Sequence, residues 1–452
     1  MPEYDFLVGT FNTAHIYTLT FSLAEERGGK SSLAIAKRHD AIGSHSWLHL
    51  TPPFDTAQPF PAQPRGQSTV ARRNLYATAW TEPPSVVAYA VESPTSIKLL
   101  GQGRTKARSG YVTASDKAVY SAGGATGEVF AIDPATGGFL PPPSPQGQAQ
   151  AAPSQPTTTT TAPIQTSALS STRSSLSSSS ASLPASSSTS STSSSLSIVE
   201  PLQILSFVEA TGNQKDDGSV LDFGGLRHGA HSADLSPDGS LLYVADIGRN
   251  AIWTYNIDTK HDGRLELAEK LISPRTNDGP RHVWPHPAGK VVYVLQEHTS
   301  HVDVFDLAPG PKLQHVQGVR IIPDALKEQD FWADEVRNSL SNGAAPRWIY
   351  ASTRGLEAST KGWLAVIAVD ADGHVDTSAG DKGVVALWET PTSGGWANAV
   401  QPGPTVDGVE YLALTDSEDG WVFVVSWDGK EIKEVARQKL DPGAGAATAV
   451  WL

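Results

Sequence analysis

Two stretches of the chain repeat one pattern, and this repeat constrains the fold more than any other feature. They are AHSADLSPDGSLLYVADIGRNAIWTYNID, from Ala230, and PRHVWPHPAGKVVYVLQEHTSHVDVFDL, from Pro280. Each reads as a short strand, a Pro-x-Gly turn, an apolar strand around Tyr243 or Tyr293, and a third strand with alternating residues. A repeat of about 50 residues with several strands per copy is typical of a β-propeller blade. A blade needs neighbours to bury both of its faces.

The tyrosine-centred strand can be followed along the chain. It occurs seven times, at Phe6–Phe11 and around Tyr76, Tyr120, Tyr243, Tyr293, Tyr350 and Tyr411. Most copies are followed by residues that alternate with a period of two and are β-branched or aromatic, which predicts strands rather than helices. The stretch from Asp324 to Asn338 is the one that could hold a helical turn.

The two ends of the chain complement each other. The last residues, AATAVWL, resemble the inner strand of a repeat, whereas the first strand has no inner strand before it. We therefore predict an all-β fold over residues 1–452, a single seven-bladed β-propeller closed by the C-terminal strand joining the N-terminal blade. Closure removes exposed sheet edges.

Residues 141–197 interrupt the third repeat. They are rich in Pro, Ser and Thr and follow the segment GEVFAIDPATGGF. This composition buries too little apolar surface to offset the entropy of ordering, so we predict a disordered insertion between the third and fourth strands of the third blade. A docking or phosphorylation segment is the functional alternative.

Composition excludes several classes of partner. The formal net charge of −13 argues against nucleic acid as a partner, and an anionic ligand needs a local basic pocket. The chain has no cysteine, which excludes disulfides and thiolate metal sites. No window has the roughly 20 apolar residues of a membrane span, and the acidic N-terminal segment does not resemble a secretory signal. We expect a cytoplasmic protein without a membrane partner.

We align the inner strands of three repeats on the proline assigned to the turn that follows each strand. Three residues then occupy one equivalent position at the start of the strand. They lie six residues before Pro237, Pro287 and Pro402, and they are His231, Arg281 and Trp396. Glu297 and Arg354 each follow the tyrosine of their own repeat by four residues. Because the start of strand one and the end of strand two lie at the same face of a propeller, we expect His231, Arg281, Glu297 and Arg354 to converge near the mouth of the channel.

The residue types in this group suggest acid–base chemistry on a carboxylate ligand. Two guanidinium groups bind carboxylates with a fixed fork and keep their charge. Histidine and glutamate move protons near neutral pH, and either His231 or Glu297 could transfer the proton. Solvated ion pairs at loop edges are the structural alternative. His298 and His301 lack the spacing of a metal site, so we predict no metal there.

Several segments of the chain are similar to those of a known family. They are HSADLSPDGSLLYVAD, GPRHVWPHPAGKVVYVLQE, WIYASTRG, TPTSGGWANAV and LALTDSEDGW. With these segments the chain resembles the fungal carboxy-cis,cis-muconate cyclases, a branch of the seven-bladed propeller lactonases. The resemblance is strongest from His231 to Leu452 and thinner before Leu140. The family's proposed His, two Arg and Glu fall on His231, Arg281, Arg354 and Glu297. Where the family's SGG-x-x-NAV motif carries a histidine, this chain has Trp396.

The resemblance implies an isomerase of aromatic catabolism, in the β-ketoadipate pathway. Its reaction is the reversible cycloisomerisation of 3-carboxy-cis,cis-muconate to its lactone, without a cofactor. Arg281, Arg354, Trp396 and Asn398 are then the expected contacts of a small polycarboxylate substrate. A lactone hydrolase of the 6-phosphogluconolactonase type is the first alternative, and a non-catalytic binding propeller is the second. Assembly into a homo-oligomer is compatible with the sequence, which does not fix the oligomeric state.

Overall fold

The computed structural model describes residues 1–25, 29–52, 73–143, 197–208, 229–343 and 345–452. Within these ranges the regular structure consists of β-strands and one turn of 3₁₀ helix, Glu328–Asp330. No helix among them has the length and apolar character that a membrane span requires.

The first half of the described chain contains twelve strands. They are β1 (Glu3–Thr10), β2 (His15–Ser22), β3 (Ser32–Asp40), β4 (Leu48–Leu50), β5 (Arg73–Ala79), β6 (Ser85–Ser93), β7 (Ser96–Arg104), β8 (Tyr111–Ala114), β9 (Ala118–Gly123), β10 (Thr126–Ala131), β11 (Ile198–Val199) and β12 (Gln203–Ser206).

The remaining strands follow from residue 230. They are β13 (Ala230–Leu235), β14 (Leu241–Asp246), β15 (Ala251–Ile257), β16 (Leu265–Ile272), β17 (Pro280–Pro285), β18 (Val291–Gln296), β19 (His301–Ala308), β20 (Lys312–Arg320), β21 (Phe331–Asn338), β22 (Trp348–Gly355), β23 (Trp363–Ala368), β24 (Val384–Glu389), β25 (Val400–Val406), β26 (Val409–Thr415), β27 (Trp421–Trp427), β28 (Ile432–Lys439) and β29 (Ala446–Trp451).

These strands form the seven blades of a β-propeller, which confirms the predicted fold. From inside to outside, blade 1 is β29-β1-β2-β3, blade 2 is β4 to β7, blade 3 is β8-β9-β10-β12, and blades 4 to 7 take the remaining strands four at a time. In blade 2, β11 adds a short parallel edge to β7. The second strand of a blade is buried on both sides, as in β18, whereas the outer β20 is exposed at most positions. This difference explains why the second strands read as continuous apolar runs.

The C-terminal strand closes the ring as predicted. β29 pairs antiparallel with β1, with Phe6 opposite Trp451 and Leu7 opposite Val450. The Phe6 and Trp451 rings lie 4.4 Å apart. The Trp451 indole also donates a hydrogen bond of 3.2 Å to the Gln401 carbonyl in blade 7. The last strand therefore joins the first blade to the seventh.

The region from Asp324 to Asn338 differs in part from the sequence-based expectation. The helical turn is present at Glu328–Asp330, but Phe331–Asn338 is the inner strand of blade 6. The segment has charged residues and no Pro-x-Gly turn after it, so it lacks the signals that marked the inner strands of blades 4 and 5.

The predicted insertion falls almost entirely outside the described residues. The flanking strands β10 and β12 pair directly as the third and fourth strands of blade 3. The proposed disorder of residues 141–197 stays a prediction.

The repeated tyrosine links neighbouring blades. In blades 2, 3 and 5, its hydroxyl donates a hydrogen bond to a glycine carbonyl in the next blade, at 2.9, 3.0 and 2.6 Å for Tyr76, Tyr120 and Tyr293. For Tyr293 the acceptor is Gly373, whose φ of +97° favours glycine. The equivalent hydroxyl of Tyr243 is buried and has no hydrogen-bond partner among the described residues.

This contrast gives a matched pair of variants. Tyr293→Phe and Tyr120→Phe should each lower the free energy of unfolding by about 1 kcal/mol, because each leaves a buried carbonyl without its donor. Tyr243→Phe should be neutral or slightly stabilising, because it removes an unsatisfied hydroxyl. Denaturant unfolding monitored by fluorescence measures the differences. Equal losses in all three variants would contradict the inter-blade role of the hydroxyl.

The insertion can be tested by deletion. Its two flanks are fixed separately, since Phe139 bridges Ile132 and Ile198–Val199 pairs with β7. The entropy of a long loop grows slowly with its length. Replacing residues 144–196 with a short Gly-Ser linker should therefore leave the melting temperature nearly unchanged. A drop of many degrees would show that the insertion contributes to the fold.

Candidate active site

Three neighbouring blades carry a β-bulge at the same place in their inner strand. In β13 the register with β14 shifts between Ala230 and Ser232, which leaves His231 as the extra residue. The corresponding shifts in β17 and β21 leave Arg281 and Asp334. A bulge changes the direction of its side chain relative to the regular strand. Blades 4, 5 and 6 thus place three ionisable residues at equivalent positions.

The second strands of blades 5 and 6 add two more charged residues. Glu297 directly follows β18, and Arg354 lies next to the end of β22. Arg281 Nη1 is 3.1 Å and Arg354 Nη2 is 3.2 Å from the same Glu297 oxygen, Oε1. Asp334 Oδ1 lies 2.6 Å from Arg354 Nη1 and 3.5 Å from Arg281 Nη2. Each guanidinium therefore contacts both carboxylates in what we call the charge cluster: Arg281, Glu297, Asp334 and Arg354.

The charge cluster is removed from solvent. The exposed fraction of its four side chains is 8% or less. Removing ions from water costs several kcal/mol per ion, and this cost is offset only when each ion has well-placed partners. Each guanidinium has two carboxylates at short distance, so the arrangement is electrostatically balanced without a ligand.

Two atoms at the cluster lack hydrogen-bond partners among the described residues. Glu297 uses Oε1 for both arginines, while its Oε2 is buried and unpartnered. The Nδ1 atom of His231 is also buried without a partner. Such atoms are rare in folded proteins and require an explanation, for example a ligand or a catalytic role.

A loop from blade 6 to blade 7 covers the cluster through its backbone. The Trp396 carbonyl accepts a hydrogen bond from Arg354 Nη1. The Asn398 amide donates to Asp334 Oδ2 at 3.0 Å, and its side-chain amide donates to the Thr353 carbonyl at 3.0 Å. Gly394, with φ of +89°, begins the turn, and a Cβ there would lie 2.5 Å from the Asn398 Cβ. The guanidinium carbon of Arg354 also lies 5.0 Å from the ring centre of Trp332, a cation–π distance.

Burial shifts two ionisation equilibria in this region. Burial, reinforced by the positive charge of Arg281 and by His282 and Arg354, holds the pKa of His231 well below its usual range. Burial also raises the pKa of Asp334 to about 6, although Arg354 and Arg281 act in the opposite direction. In the free protein at neutral pH, His231 is therefore neutral and Asp334 is mostly ionised.

The structure brings together most of the residues that the sequence analysis named. Arg281, Glu297 and Arg354 are in direct contact. His231 lies in the next bulge, where both guanidinium groups influence its pKa. Asn398 joins the group through its backbone amide.

The expected register of Trp396 was wrong. Pro237 and Pro287 lie in turns after their strands, but Pro402 lies inside β25, so the alignment on prolines does not hold in blade 7. Trp396 precedes this strand in a loop, and 62% of its surface is exposed. Its backbone reaches the charge cluster, while a substrate contact by its indole stays a proposal.

Sequence reasoning missed Asp334 and a neighbouring pair. His282 Nδ1 lies 2.7 Å from Glu335 Oε1, and both residues are buried. A signal was present, because Ala-Asp-Glu-Val at 333–336 matches Pro-Arg-His-Val at 280–283 in register, with each valine following the pair. The missed strand β21 hid this correspondence.

No group of three or more His, Cys, Asp or Glu side chains in the described part of the chain is arranged to hold a metal ion. The residues at the site are instead suited to binding carboxylates and to transferring a proton.

Comparison with known proteins gives the family. The model "Lactonase, 7-bladed beta-propeller" matches residues 209–383, which include every residue of the charge cluster. Muconate cycloisomerase 1 of Cutaneotrichosporon cutaneum is 34% identical over 465 residues, covering 100% of this chain and 98% of that protein. The chain belongs to the seven-bladed β-propeller lactonase family. The carboxy-cis,cis-muconate cyclase of Neurospora crassa is 29% identical over 234 residues, 49% of this chain and 60% of that protein.

Solved structures of similar fold support the architecture of this lactonase-type propeller. A putative 6-phosphogluconolactonase from Bacteroides uniformis superimposes with a TM-score of 0.64 at 14% identity, covering 100% of both chains. The periplasmic gluconolactonase of Pseudomonas aeruginosa gives a TM-score of 0.62 at 14% identity, covering 100% of this chain and 99% of that one. At this identity the likeness shows the fold alone.

The raised pKa of Asp334 predicts how anion binding depends on pH. Below pH 6 Asp334 becomes protonated, so the charge cluster gains one positive charge and should bind an anion more tightly. Affinity for 1,2-ethanedisulfonate, whose charge does not change over this range, should rise as the pH falls from 8 to 5. Calorimetry measures the rise, which should be smaller in Asp334→Asn. Asp370→Asn, at an exposed carboxylate on blade 6, is the control and should keep the wild-type pH dependence. The same pH profile in Asp334→Asn and the wild type would contradict the assignment of the pH dependence to Asp334.

Proposed function

We propose that this lactonase-family propeller catalyses the reversible cycloisomerisation of 3-carboxy-cis,cis-muconate to its lactone. The observation that carries the proposal is the buried pair of guanidinium groups beside two unpartnered acid–base atoms, Glu297 Oε2 and His231 Nδ1. The names of the two relatives, a muconate cycloisomerase and a carboxymuconate cyclase, support a muconate as the substrate class.

The reaction requires one bond to carbon and one proton. A substrate carboxylate oxygen adds to a carbon of the conjugated diene, and the electrons of the double bond move to the neighbouring carbon. That carbon takes a proton, so one carboxylate charge is consumed and one proton enters from the acid. Because both reacting groups belong to one molecule, holding the folded-back conformer removes much of the entropic barrier.

Arg281 and Arg354 bind the substrate carboxylates in this mechanism. Their forks point at shared acceptors, Glu297 and Asp334, and a substrate carboxylate competes for the same donors. As the C–O bond forms, negative charge grows on the carbon next to a second carboxylate. Fixed guanidinium groups stabilise that charge without reorganisation.

His231 supplies the proton. In the free protein its pKa is held low by burial and by the positive field of Arg281 and Arg354. Substrate carboxylates bound to these arginines bring negative charge and raise the pKa of His231. The substrate thereby promotes uptake of the proton that its own reaction consumes. Glu297 keeps both guanidinium groups in place through Oε1.

Lactone hydrolysis is the second candidate. A 6-phosphogluconolactonase from Enterobacter is 28% identical over 149 residues, 32% of this chain. The same pair of arginines could bind an anionic sugar lactone while the acid–base residues activate water. Ultraviolet-monitored turnover of 3-carboxymuconate, cis,cis-muconate and 6-phosphogluconolactone by the purified protein separates the candidates. Turnover of the sugar lactone alone would overturn the proposal.

Arginine-to-lysine variants test the site. Removing a whole guanidinium leaves buried carboxylates unpaired, which is strongly destabilising, so Arg281→Lys and Arg354→Lys are preferable. Each should lower kcat/KM by about 10² because the ammonium lacks the two-pronged geometry. Arg437→Lys, at an exposed ion pair with Glu434, is the control. If both site variants melt like the wild type and retain its kcat/KM, the substrate binds elsewhere.

A further inference from the structure

A second histidine lies directly behind His231. His282 follows Arg281 in β17, and its ring centre is 5.2 Å from that of His231. The two strands are tied together at this point, because the Val283 amide donates a hydrogen bond of 3.1 Å to Ser232 Oγ. The contact between the rings is therefore built into the interface of blades 4 and 5.

Each ring has a buried nitrogen without a partner among the described residues. These atoms are His231 Nδ1 and His282 Nε2. An unsatisfied buried nitrogen is costly, and two of them on adjacent rings are rarer still. The two nitrogens are not hydrogen-bonded to each other in the free protein. A single proton taken up between the rings would satisfy both atoms once the nitrogens approach to hydrogen-bonding distance.

The other nitrogen of His282 is held by a carboxylate. Glu335 Oε1 lies 2.7 Å from His282 Nδ1 and 2.7 Å from Arg337 Nη1, with which it forms an ion pair, and it accepts a hydrogen bond of 3.1 Å from the Val336 amide. An arginine cation and a backbone amide donor at this oxygen favour an ionised carboxylate that accepts the Nδ1 proton of His282. Such a carboxylate fixes the tautomer of an imidazole and stabilises its protonated form.

Aromatic rings shield this pair from water. Trp47 and Tyr111 meet the His282 ring edge-on at 5.2 and 5.4 Å, and they stack on each other at 3.9 Å. Tyr111 in turn donates a hydrogen bond of 2.8 Å to Asp234. A proton between the histidines would therefore not exchange freely with solvent at this side.

We propose that His231 and His282 share one proton that is taken up with an anionic ligand, and that Glu335 stabilises the charged pair. His231 is then the catalytic residue, and His282 and Glu335 are positioning residues that act through it. In the cyclisation, the substrate carbon takes the Nε2 proton of His231, and His231 Nδ1 takes the shared proton from His282 Nε2. Both rings end neutral, and the next proton enters from solvent. The role of this proton in catalysis rests on the proposed function. Uptake of the proton with an anion does not, because it can be measured without turnover.

The surrounding charges explain why uptake is linked to the ligand. Burial, with Arg281 and Arg337, holds the pKa of His282 well below its usual range, as burial with Arg281 and Arg354 does for His231. An anion on Arg281 and Arg354 cancels much of this field. Burial raises the pKa of Glu335 to about 7 against the effect of Arg337, so Glu335 is ionised at pH 8. Two further ionisable neighbours are Asp234 on β13, whose pKa is raised by burial to about 7, and Tyr111, whose pKa burial raises well above its usual value.

The test is calorimetry of 1,2-ethanedisulfonate binding at pH 8 in two buffers of different ionisation enthalpy. The wild type should take up a substantial fraction of a proton on binding. His282→Gln, which keeps the titratable Glu335, should lose most of the uptake, and so should Glu335→Gln; Asp334 and Asp234 contribute equally to all three proteins. Loss of uptake in Glu335→Gln alone would assign the proton to Glu335 and overturn the proposal. His286→Gln, at a histidine whose Nε2 is also buried and unpartnered, and Glu389→Gln, at a surface ion pair, are the matched controls. Absence of binding, binding without proton uptake, or equal uptake in Glu335→Gln would overturn the proposal.

Turnover gives a second, separable readout. If the wild type converts a muconate, Glu335→Gln should lower kcat by about 10² with little change in KM, because the carboxylate acts on proton transfer rather than on binding. The variant also removes the carboxylate partner of buried Arg337 and should melt at a lower temperature, so kcat is compared where both proteins are folded. A Glu335→Gln enzyme with normal kcat contradicts the shared proton while leaving the proposed reaction intact. A wild type inactive on muconates overturns the proposed function, and the calorimetry still decides the proton assignment.

Discussion

The buried contact between two guanidinium groups and two carboxylates is the interaction on which the site depends. Arg281 and Arg354 come from different blades, and so do Glu297 and Asp334. None of the four could remain charged at this depth alone, because the cost of desolvation exceeds what a single partner returns. The cluster therefore requires blades 5 and 6 to meet in one geometry, and it presents a ligand with donors whose positions are already fixed.

The propeller provides this geometry through a small irregularity. Bulges at His231, Arg281 and Asp334 place one ionisable side chain from each of three adjacent inner strands in the same layer. The closing strand β29 keeps the ring intact, and tyrosine hydroxyls fix the spacing between blades. Function and fold are thus separable here: the apolar middles of the second strands build the ring, and the chemistry lies on the inner-strand bulges and at the ends of the second strands.

The sequence predicted the fold well because blade strands have strong local signals. Alternation, turn glycines and the recurrent tyrosine all act within a few residues, so the seven blades and their closure could be found without a structure. Arg281, Glu297 and Arg354 could be placed by counting from these marks. Asp334 could not, because β21 lacks them, and Pro402 misled the count for Trp396 by lying inside its strand. The contact between His231 and His282 depends on the angle between two blades, which no local pattern encodes.

The central claim is that a muconate lies on Arg281 and Arg354 with its reacting carbon beside His231. A crystal structure with the lactone product bound tests this most directly. Carboxylate oxygens of the lactone should lie within hydrogen-bonding distance of both guanidinium groups. The carbon that took the proton, which joins the lactone ring to the carboxylate outside it, should face the His231 ring. A lactone bound away from the charge cluster, or held with its ring turned from His231, would contradict the account.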